Sequence, residues 1–210
     1  MVCQRRGKLR ELLSRLAVKT TRFNQHLVIA LVTSAVMILL SFLAPSGSTY
    51  RFSFVFLLPL LWGVYALRRK LYLHPVHYAL IAAALLLHNL GVFGYYRREF
   101  FTLQFDTYVH FYFGFACAFV VSRALAIGYE VKGWRLWIAV TLGILGFGAI
   151  HELIEWASSM ALGPERGMLK ALADDPYDTQ KDLLNNLLGT LLSLLITTVF
   201  TRSPTVESRE

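Results

Sequence analysis

The chain has 210 residues, of which 56% are hydrophobic and only 16% are charged, and its mean hydropathy is +0.51. A soluble domain carries about 25% charged residues, so this composition excludes an ordinary soluble domain and predicts an integral protein of the lipid bilayer. The formal net charge of +8 does not predict a nucleic-acid partner, because Lys and Arg in a membrane protein first serve to set its orientation.

Residues 1–23 form a basic segment that holds seven Lys and Arg. Its leucines, Leu9, Leu12, Leu13 and Leu16, follow the spacing of an amphipathic helix. Such a helix would lie on anionic lipid of the cytoplasmic leaflet, and a disordered basic tail is the alternative interpretation. The apolar run that follows exceeds the usual ~7–15 residues of a signal peptide, so we expect an uncleaved membrane anchor.

Six apolar segments predict an all-α, polytopic membrane helix bundle. The six transmembrane helices cover about 24–44, 52–67, 76–96, 107–127, 134–160 and 182–200, and a short tail, 201–210, follows them. The second is short for the ~20 residues that a crossing needs. With the N-terminus inside, the inner segments hold 15 of the 21 Lys and Arg and the outer segments hold 6. This excess predicts that both termini are cytoplasmic.

Polar side chains lie at one depth in the last three spans, near the ends predicted to face outward. They are Asp106 and His110 at the fourth span, His151, Glu152 and Glu155 in the fifth, and Asp178, Asp182 and Asn186 at the sixth. An ionised acid at the bilayer centre costs roughly 2.5–3.5 kcal/mol even on the lenient insertion scale. We therefore expect these side chains to form an outward-facing pocket.

Helical periodicity predicts which faces form this pocket. Gly148, Glu152, Glu155 and Ser159 share one face of the fifth span, and the sixth carries a stripe of Asp178, Asp182, Asn186, Gly189, Ser193 and Thr197. A polar stripe must face the bundle interior. Gly114, Ala118 and Ser122 form a seam on the fourth span, and Gly143, Gly146 and Gly148 are expected to admit a neighbour to the fifth. The fourth, fifth and sixth helices should therefore pack together.

Three of these motifs resemble the YjdF-like family of bacterial inner-membrane proteins. They are Asp106-x-x-x-His110, Glu152-x-x-Glu155-Trp156, and Tyr177-Asp178-Thr179-Gln180-Lys181-Asp182 with Gly189. More remotely, their order is similar to that of the VanZ-like family, which is linked to teicoplanin resistance, although His151 replaces an acid and Glu155 a glutamine of that pattern. The resemblance implies a multi-pass protein of the bacterial inner membrane and no particular activity or cofactor.

Oxygen-rich ligands with some imidazole suit Mg, Mn or Zn. The predicted ligands of one or two such cations are Asp106, His110, Glu152, Glu155, Asp178 and Asp182. His151, Glu152 and Glu155 are the candidate catalytic residues, and Arg97, Arg98 and Asn186 are the candidate contacts of a lipid-linked or phosphate-bearing substrate. The run His151-Glu152-x-x-Glu155 lacks the second histidine of a zinc protease.

The sequence leaves other interpretations open. The chain is an enzyme, a carrier of a cation or small polar ligand, or an assembly protein whose polar cluster only joins helices. As an alternative, Asp106 and Asp178 serve only as N-caps of their helices. Glu152 and Glu155 could form ion pairs with Arg97 or Arg98, and His110 could be a packing residue of the bundle. We expect His88 and Asn89 to form interhelical hydrogen bonds. The loop 161–181 is a partial lid or a plain connector, and Cys3 and Cys117 predict no disulfide. The oligomeric state is not predicted.

Overall fold

The structure, a computed structural model, describes residues 25–46, 48, 50–163 and 177–201, with the backbone alone at 97, 162, 200 and 201. Within this part the chain forms six α-helices. They are α1 (Gln25–Leu43), α2 (Phe54–Leu67), α3 (Pro75–Asn89), α4 (Phe105–Gly128), α5 (Gly133–Leu162) and α6 (Asp178–Thr201). The predicted basic segment 1–23, most of the loop 161–181 and the tail beyond residue 201 lie outside the described residues.

Among the described residues, five helices are long and apolar enough to cross a membrane. They are α1, α3 with the turn after it (Pro75–Phe93), α4, α5 and α6. With 14 residues, α2 is shorter than a straight crossing needs. Bulky apolar side chains such as Phe42, Phe56 and Leu153 are exposed on these helices, as a lipid-facing surface requires. The chain is therefore a polytopic helical membrane protein.

The third apolar segment ends its α-helix earlier than predicted. Pro75 begins α3 at a position that proline tolerates, but the helix stops at Asn89 and continues as two 3₁₀ turns, Leu90–Phe93 and Tyr95–Arg97. Gly94 separates these turns with a φ of +76°, which glycine adopts without a steric penalty. The predicted helix 76–96 was therefore too long at its C-terminal end.

A short β-hairpin, which we did not predict, joins this turn region to α4. Strand β1 (Glu99–Phe100) pairs antiparallel with β2 (Leu103–Gln104). The two turn residues, Phe101 and Thr102, both have positive φ, the geometry of a type I′ turn, which usually carries Asn-Gly. Without that signal, periodicity could not identify the hairpin.

Helix α4 lies between two apolar cores. One is formed by α1, α2 and α3 with α4, and its buried members include Met37, Leu61, Tyr78, Leu85 and Ala116. The other joins α4 to α5 and α6 through Ala118, Val140, Ile144 and Leu194. Helix α4 packs most extensively against α6. The predicted association of the fourth, fifth and sixth helices is thus confirmed.

Glycines set how closely these helices approach. A Cβ added at Gly189 would overlap the carbonyl oxygen of Phe111, and one at Gly114 would overlap that of Asn186. Backbone therefore meets backbone where α4 crosses α6, as in other small-residue helix interfaces. On α5 the expectation was right for Gly148 and wrong for Gly143 and Gly146, since no described atom lies within 4 Å of a Cβ built at either.

Candidate functional site

The first turn of α4 supplies the first two polar groups of the site. Asp106 lies inside that turn, and the N-cap is Gln104; Asp178 likewise lies within the first turn of α6. The alternative that Asp106 is an N-cap was therefore wrong. One turn further, the Nε2 atom of His110 lies 3.5 Å from the Oδ1 atom of Asp106, because residues four apart share a helix face.

Two other helices direct carboxyls at the same imidazole nitrogen. The Oδ2 atom of Asp182 on α6 lies 3.7 Å from the His110 Nε2 atom, and the Oε1 atom of Glu152 on α5 lies 4.0 Å from it. His110, Glu152 and Asp182 are each at most 5% exposed. We call Asp106, His110, Glu152 and Asp182 the acidic cluster. It joins residues from three helices around one histidine.

The other ring nitrogen of His110 faces α6. The Nδ2 atom of Asn186 lies 3.3 Å from the His110 Nδ1 atom, and Asn186 is completely buried. One turn on, the Thr190 hydroxyl lies 3.4 Å from the carbonyl oxygen of Gly114. Contacts at both nitrogens hold the imidazole plane in one orientation.

The run His151–Glu155 divides between two environments. Glu152 faces the acidic cluster and accepts a 3.1 Å hydrogen bond from the Thr179 hydroxyl. The Nε2 atom of His151 lies instead 2.9 Å from the Oε1 atom of Glu155, and its ring is 6.0 Å from that of His110. Successive residues on a helix point about 100° apart, so neighbours in sequence occupy adjoining parts of the site.

Periodicity missed a further group beside His151. The rings of His88 and His151 are 6.1 Å apart, and the Tyr96 hydroxyl is hydrogen-bonded to the Nδ1 atom of His88. The expected interhelical bond of His88 was therefore replaced by a contact with the 3₁₀ turn. For Asn89 the expectation was right, since it contacts Ser53 and the carbonyl oxygen of Met37 on α1.

Several buried oxygens of the site have no hydrogen-bond partner in the described part of the chain. They include Asp106 Oδ1, Glu152 Oε1, Glu155 Oε1 and Asn186 Oδ1. A buried acceptor without a partner costs about 1–3 kcal/mol, and more when it is charged. Two of these oxygens, Asp106 Oδ1 and Glu152 Oε1, lie within 4.0 Å of the His110 Nε2 atom, where a bound cation would satisfy both.

Three groups lie close enough together that they could hold a metal ion. One ligand atom each from Asp106, His110 and Asp182 lies within 4.8 Å of the other two. Asp178 is near enough to interact electrostatically with Asp106, Glu152 and Asp182. The predicted metal residues thus lie in one region, with Glu155 paired to His151.

The predicted substrate residues are less closely gathered. Asn186 lies in the core of the site, whereas Arg98 is exposed and its guanidinium lies 5.4 Å from the centre of the Tyr95 ring. The carbonyl oxygen of Arg98 accepts a hydrogen bond from Phe105, so Arg98 adjoins the start of α4. The side chain of Arg97 lies outside the described part. Glu155 pairs with His151.

Comparisons with known proteins agree with this architecture. A family model described as "Predicted membrane protein (DUF2238)" matches residues 25–203. Inner membrane protein YjdF of Escherichia coli (strain K12) is 30% identical over 92 residues, which are 43% of this chain and 44% of the relative. The match therefore spans less than half the length of that curated relative. No solved structure matches the chain.

Proposed function

This chain belongs to the DUF2238 family of predicted membrane proteins. For a protein of the membrane, we propose that it binds a divalent cation between α4, α5 and α6. It is a multi-pass protein of the bacterial inner membrane, as the sequence predicted. The observation that carries the proposal is the convergence of ligand atoms from Asp106, His110 and Asp182.

The distances within the acidic cluster suit a small cation. Two ligands that are each about 2.1 Å from one ion lie about 3.0 Å apart at octahedral angles and about 3.4 Å apart at tetrahedral angles. The separations of 3.5 and 3.7 Å from His110 to Asp106 and Asp182 need to shorten by only a few tenths of an ångström. Rotamer adjustments supply shifts of this size. Glu152, whose Oε1 atom lies 4.0 Å from the His110 Nε2 atom, would be the fourth ligand after a larger shift.

Charge supports the same conclusion. Burying an uncompensated carboxylate costs several kcal/mol, and the cluster directs three carboxyls at one neutral or singly charged imidazole. Three oxygen ligands with one nitrogen suit Mg, Mn or Zn. Asn186 supports His110 as a ligand. If the Asn186 amide is rotated by 180°, its Oδ1 atom accepts a hydrogen bond from the Nδ1–H group of His110. The lone pair of the His110 Nε2 atom is then available to the ion.

We extend the proposal to a reaction on a lipid-linked or phosphate-bearing substrate. A divalent cation bound there would polarise a phosphate oxygen and lower the pKa of a water molecule. As that water forms its bond to phosphorus and the bond to the leaving alcohol breaks, Glu155, paired with His151, would accept the proton of the water, and the pair would pass a proton to the alcohol. Asn186 would contact the substrate. Arg98, exposed beside the start of α4, would contact the phosphate at the membrane surface.

The cation is tested by elemental analysis of purified protein dialysed against Mg, Mn and Zn. Wild type should retain about one ion per chain, and saturation at 100 times the Kd should stabilise it by about 2.7 kcal/mol. Asp106→Asn/Asp182→Asn should retain none, whereas Glu99→Gln, which removes an exposed carboxylate at the same end, should behave as wild type. Metal-free wild type with the same melting temperature before and after chelation would refute the proposal.

A structural role is the second candidate. His110 lies within 4.0 Å of carboxyl oxygens from three helices, so the acidic cluster joins α4, α5 and α6 even without an ion. In that case Asp182→Asn lowers the melting temperature equally with and without chelator. A cation site predicts that the variant loses only the increment that the metal provides. A cation carrier, the third alternative, requires uptake into proteoliposomes that Glu152→Gln abolishes.

We also propose that the chain crosses the membrane six times with both termini in the cytoplasm. The excess of Lys and Arg on the inner segments, 15 against 6, supports this orientation. Helix α2 is apolar but has only 14 residues. As a sixth crossing it relies on flanking residues and local thinning of the bilayer.

A further inference from the structure

A groove of about 1170 Å³ opens at the end of the bundle opposite the acidic cluster. The last turns of α4, the first turns of α5 and the last turns of α6 form its walls. At a rise of 1.5 Å per residue, Ser122 lies about 18 Å along α4 from His110. The groove is therefore a separate site, and nothing in it depends on the proposed cation.

The groove combines an apolar floor with a basic rim. Phe119, Trp137 and Ile138 contribute apolar surface, and Arg123 and Lys132 contribute positive charge. The Nε atom of Arg123 donates a hydrogen bond to the carbonyl oxygen of Tyr72, which holds the guanidinium at the end of α4. A guanidinium has five N–H donors, so it can also bind an anion.

Two buried polar atoms in the groove have no hydrogen-bond partner in the described part of the chain: Ser122 Oγ and His77 Nδ1. Ser122 is only 2% exposed, yet it lines the groove. Buried polar groups are nearly always hydrogen-bonded, to protein or to another molecule. The Ser122 hydroxyl is therefore available to a polar atom of a ligand that enters between the helices.

We propose that this groove binds one anionic phospholipid from the adjacent leaflet. The phosphate contacts Arg123 and Lys132, and an acyl chain lies along Phe119, Trp137 and Ile138. A water-soluble anion would use only the basic rim and would leave the apolar floor without a partner. Trp134, also in the groove wall, is a side chain typical of the headgroup level, where basic residues attract anionic lipids.

Tryptophan fluorescence tests this site directly. The chain has four tryptophans, so the background Trp62→Phe/Trp156→Phe leaves only Trp134 and Trp137, both in the groove. This protein is placed in phosphatidylcholine nanodiscs that contain a rising fraction of phosphatidylglycerol with brominated acyl chains. We expect saturable quenching at a low fraction of phosphatidylglycerol and weak, linear quenching by brominated phosphatidylcholine.

Charge variants identify the headgroup contact. Each basic residue near a membrane surface contributes enough binding energy for about a fivefold change, so Lys132→Gln should raise the half-saturating fraction about fivefold and Arg123→Gln/Lys132→Gln roughly 25-fold. Lys132 is exposed, so its replacement does not threaten folding. Arg69→Gln/Lys70→Gln removes the same charge from the same end outside the groove and should leave the fraction unchanged.

Three outcomes would overturn the proposal. Equal quenching by both brominated lipids would show that no headgroup is recognised. An equal shift in the Arg69→Gln/Lys70→Gln control would reduce the effect to surface charge. Quenching that appears only after deletion of residues 203–210 would assign the groove to the end of the chain itself.

Discussion

His110 is the residue on which the geometry of the acidic cluster depends. Its Nε2 atom lies within 4.0 Å of Asp106, Glu152 and Asp182, and its Nδ1 atom faces Asn186. The imidazole thus extends from α4 to meet polar side chains of both α5 and α6. Each ring nitrogen of His110 therefore has at least one polar side chain within 4.0 Å.

The free energy of unfolding should depend on pH through the phenol of Tyr96, and stability measurements can detect this dependence. Burial raises the pKa of its phenol well above the ordinary value, and the nearby carboxyls of Asp106 and Glu155 raise it further. The folded protein therefore holds this proton more tightly than the unfolded chain, whose tyrosines have a pKa of about 10. The stabilisation is complete below about pH 10 and is lost as the pH rises toward the folded pKa.

We expect the melting temperature of wild type to fall more steeply above about pH 10 than that of Tyr96→Phe. The matched control is Tyr129→Phe, which replaces a tyrosine that is 77% exposed and should keep the wild-type slope. If the three proteins lose stability in parallel, the Tyr96 proton contributes nothing.

At the scale of the element, α6 shows how a polar stripe becomes a helix interface. Asp182, Asn186, Gly189 and Ser193 of the predicted stripe are all buried. Lipid cannot pair with these groups, so they turn toward α4 and α5. The glycine in the stripe then lets the backbones of α4 and α6 meet.

Gly189→Ala should destabilise the bundle by about 1–3 kcal/mol. The new methyl would overlap the carbonyl oxygen of Phe111 and lie 2.8 Å from the backbone nitrogen of Phe115, and backbone atoms inside a helix cannot move aside alone. Unfolding in rising SDS, followed by circular dichroism, measures the loss.

The matched control is Gly146→Ala on α5, where no described atom lies within 4 Å of the added Cβ. It should be neutral or slightly stabilising, because alanine favours helix over glycine by up to about 1 kcal/mol. Equal losses in both variants would mean that close approach at Gly189 is unimportant.

At the scale of the molecule, α4 organises the bundle because it contributes to both apolar cores. The same helix carries Asp106 and His110 at its beginning and Ser122 and Arg123 near its end. One membrane-crossing helix thus joins the acidic cluster to the basic groove. A helix of 24 residues places these two sites near opposite surfaces of the bilayer.

The proposed topology is tested with single cysteines in a Cys3→Ser/Cys117→Ser background. An impermeant maleimide should label Ser48→Cys in intact cells, and should label Lys70→Cys and Tyr129→Cys only after the membrane is opened. Ser48 precedes α2 and Lys70 follows it. Labelling of both from one side would show that α2 does not cross.

The sequence alone was sufficient for the membrane class, the approximate positions of the six helices, and the faces of α5 and α6 that are buried. Bilayer thickness sets how long an apolar run must be, and the cost of polar groups in lipid decides which face turns inward. Both constraints act on each helix separately, so Glu152, Glu155 and Asn186 could be placed on buried faces before any contact was known.

Only the tertiary structure decided which of these side chains meet. Three features depend on how neighbouring helices are rotated and shifted. They are the separation of Glu152 from the His151–Glu155 pair, the contact of His88 with Tyr96, and the lack of a close neighbour to Gly143 and Gly146 among the described residues. Periodicity records neither the rotation nor the shift, because it describes one helix at a time. The early end of α3 was likewise visible only in the structure, where the Tyr96 ring packs against Gly91.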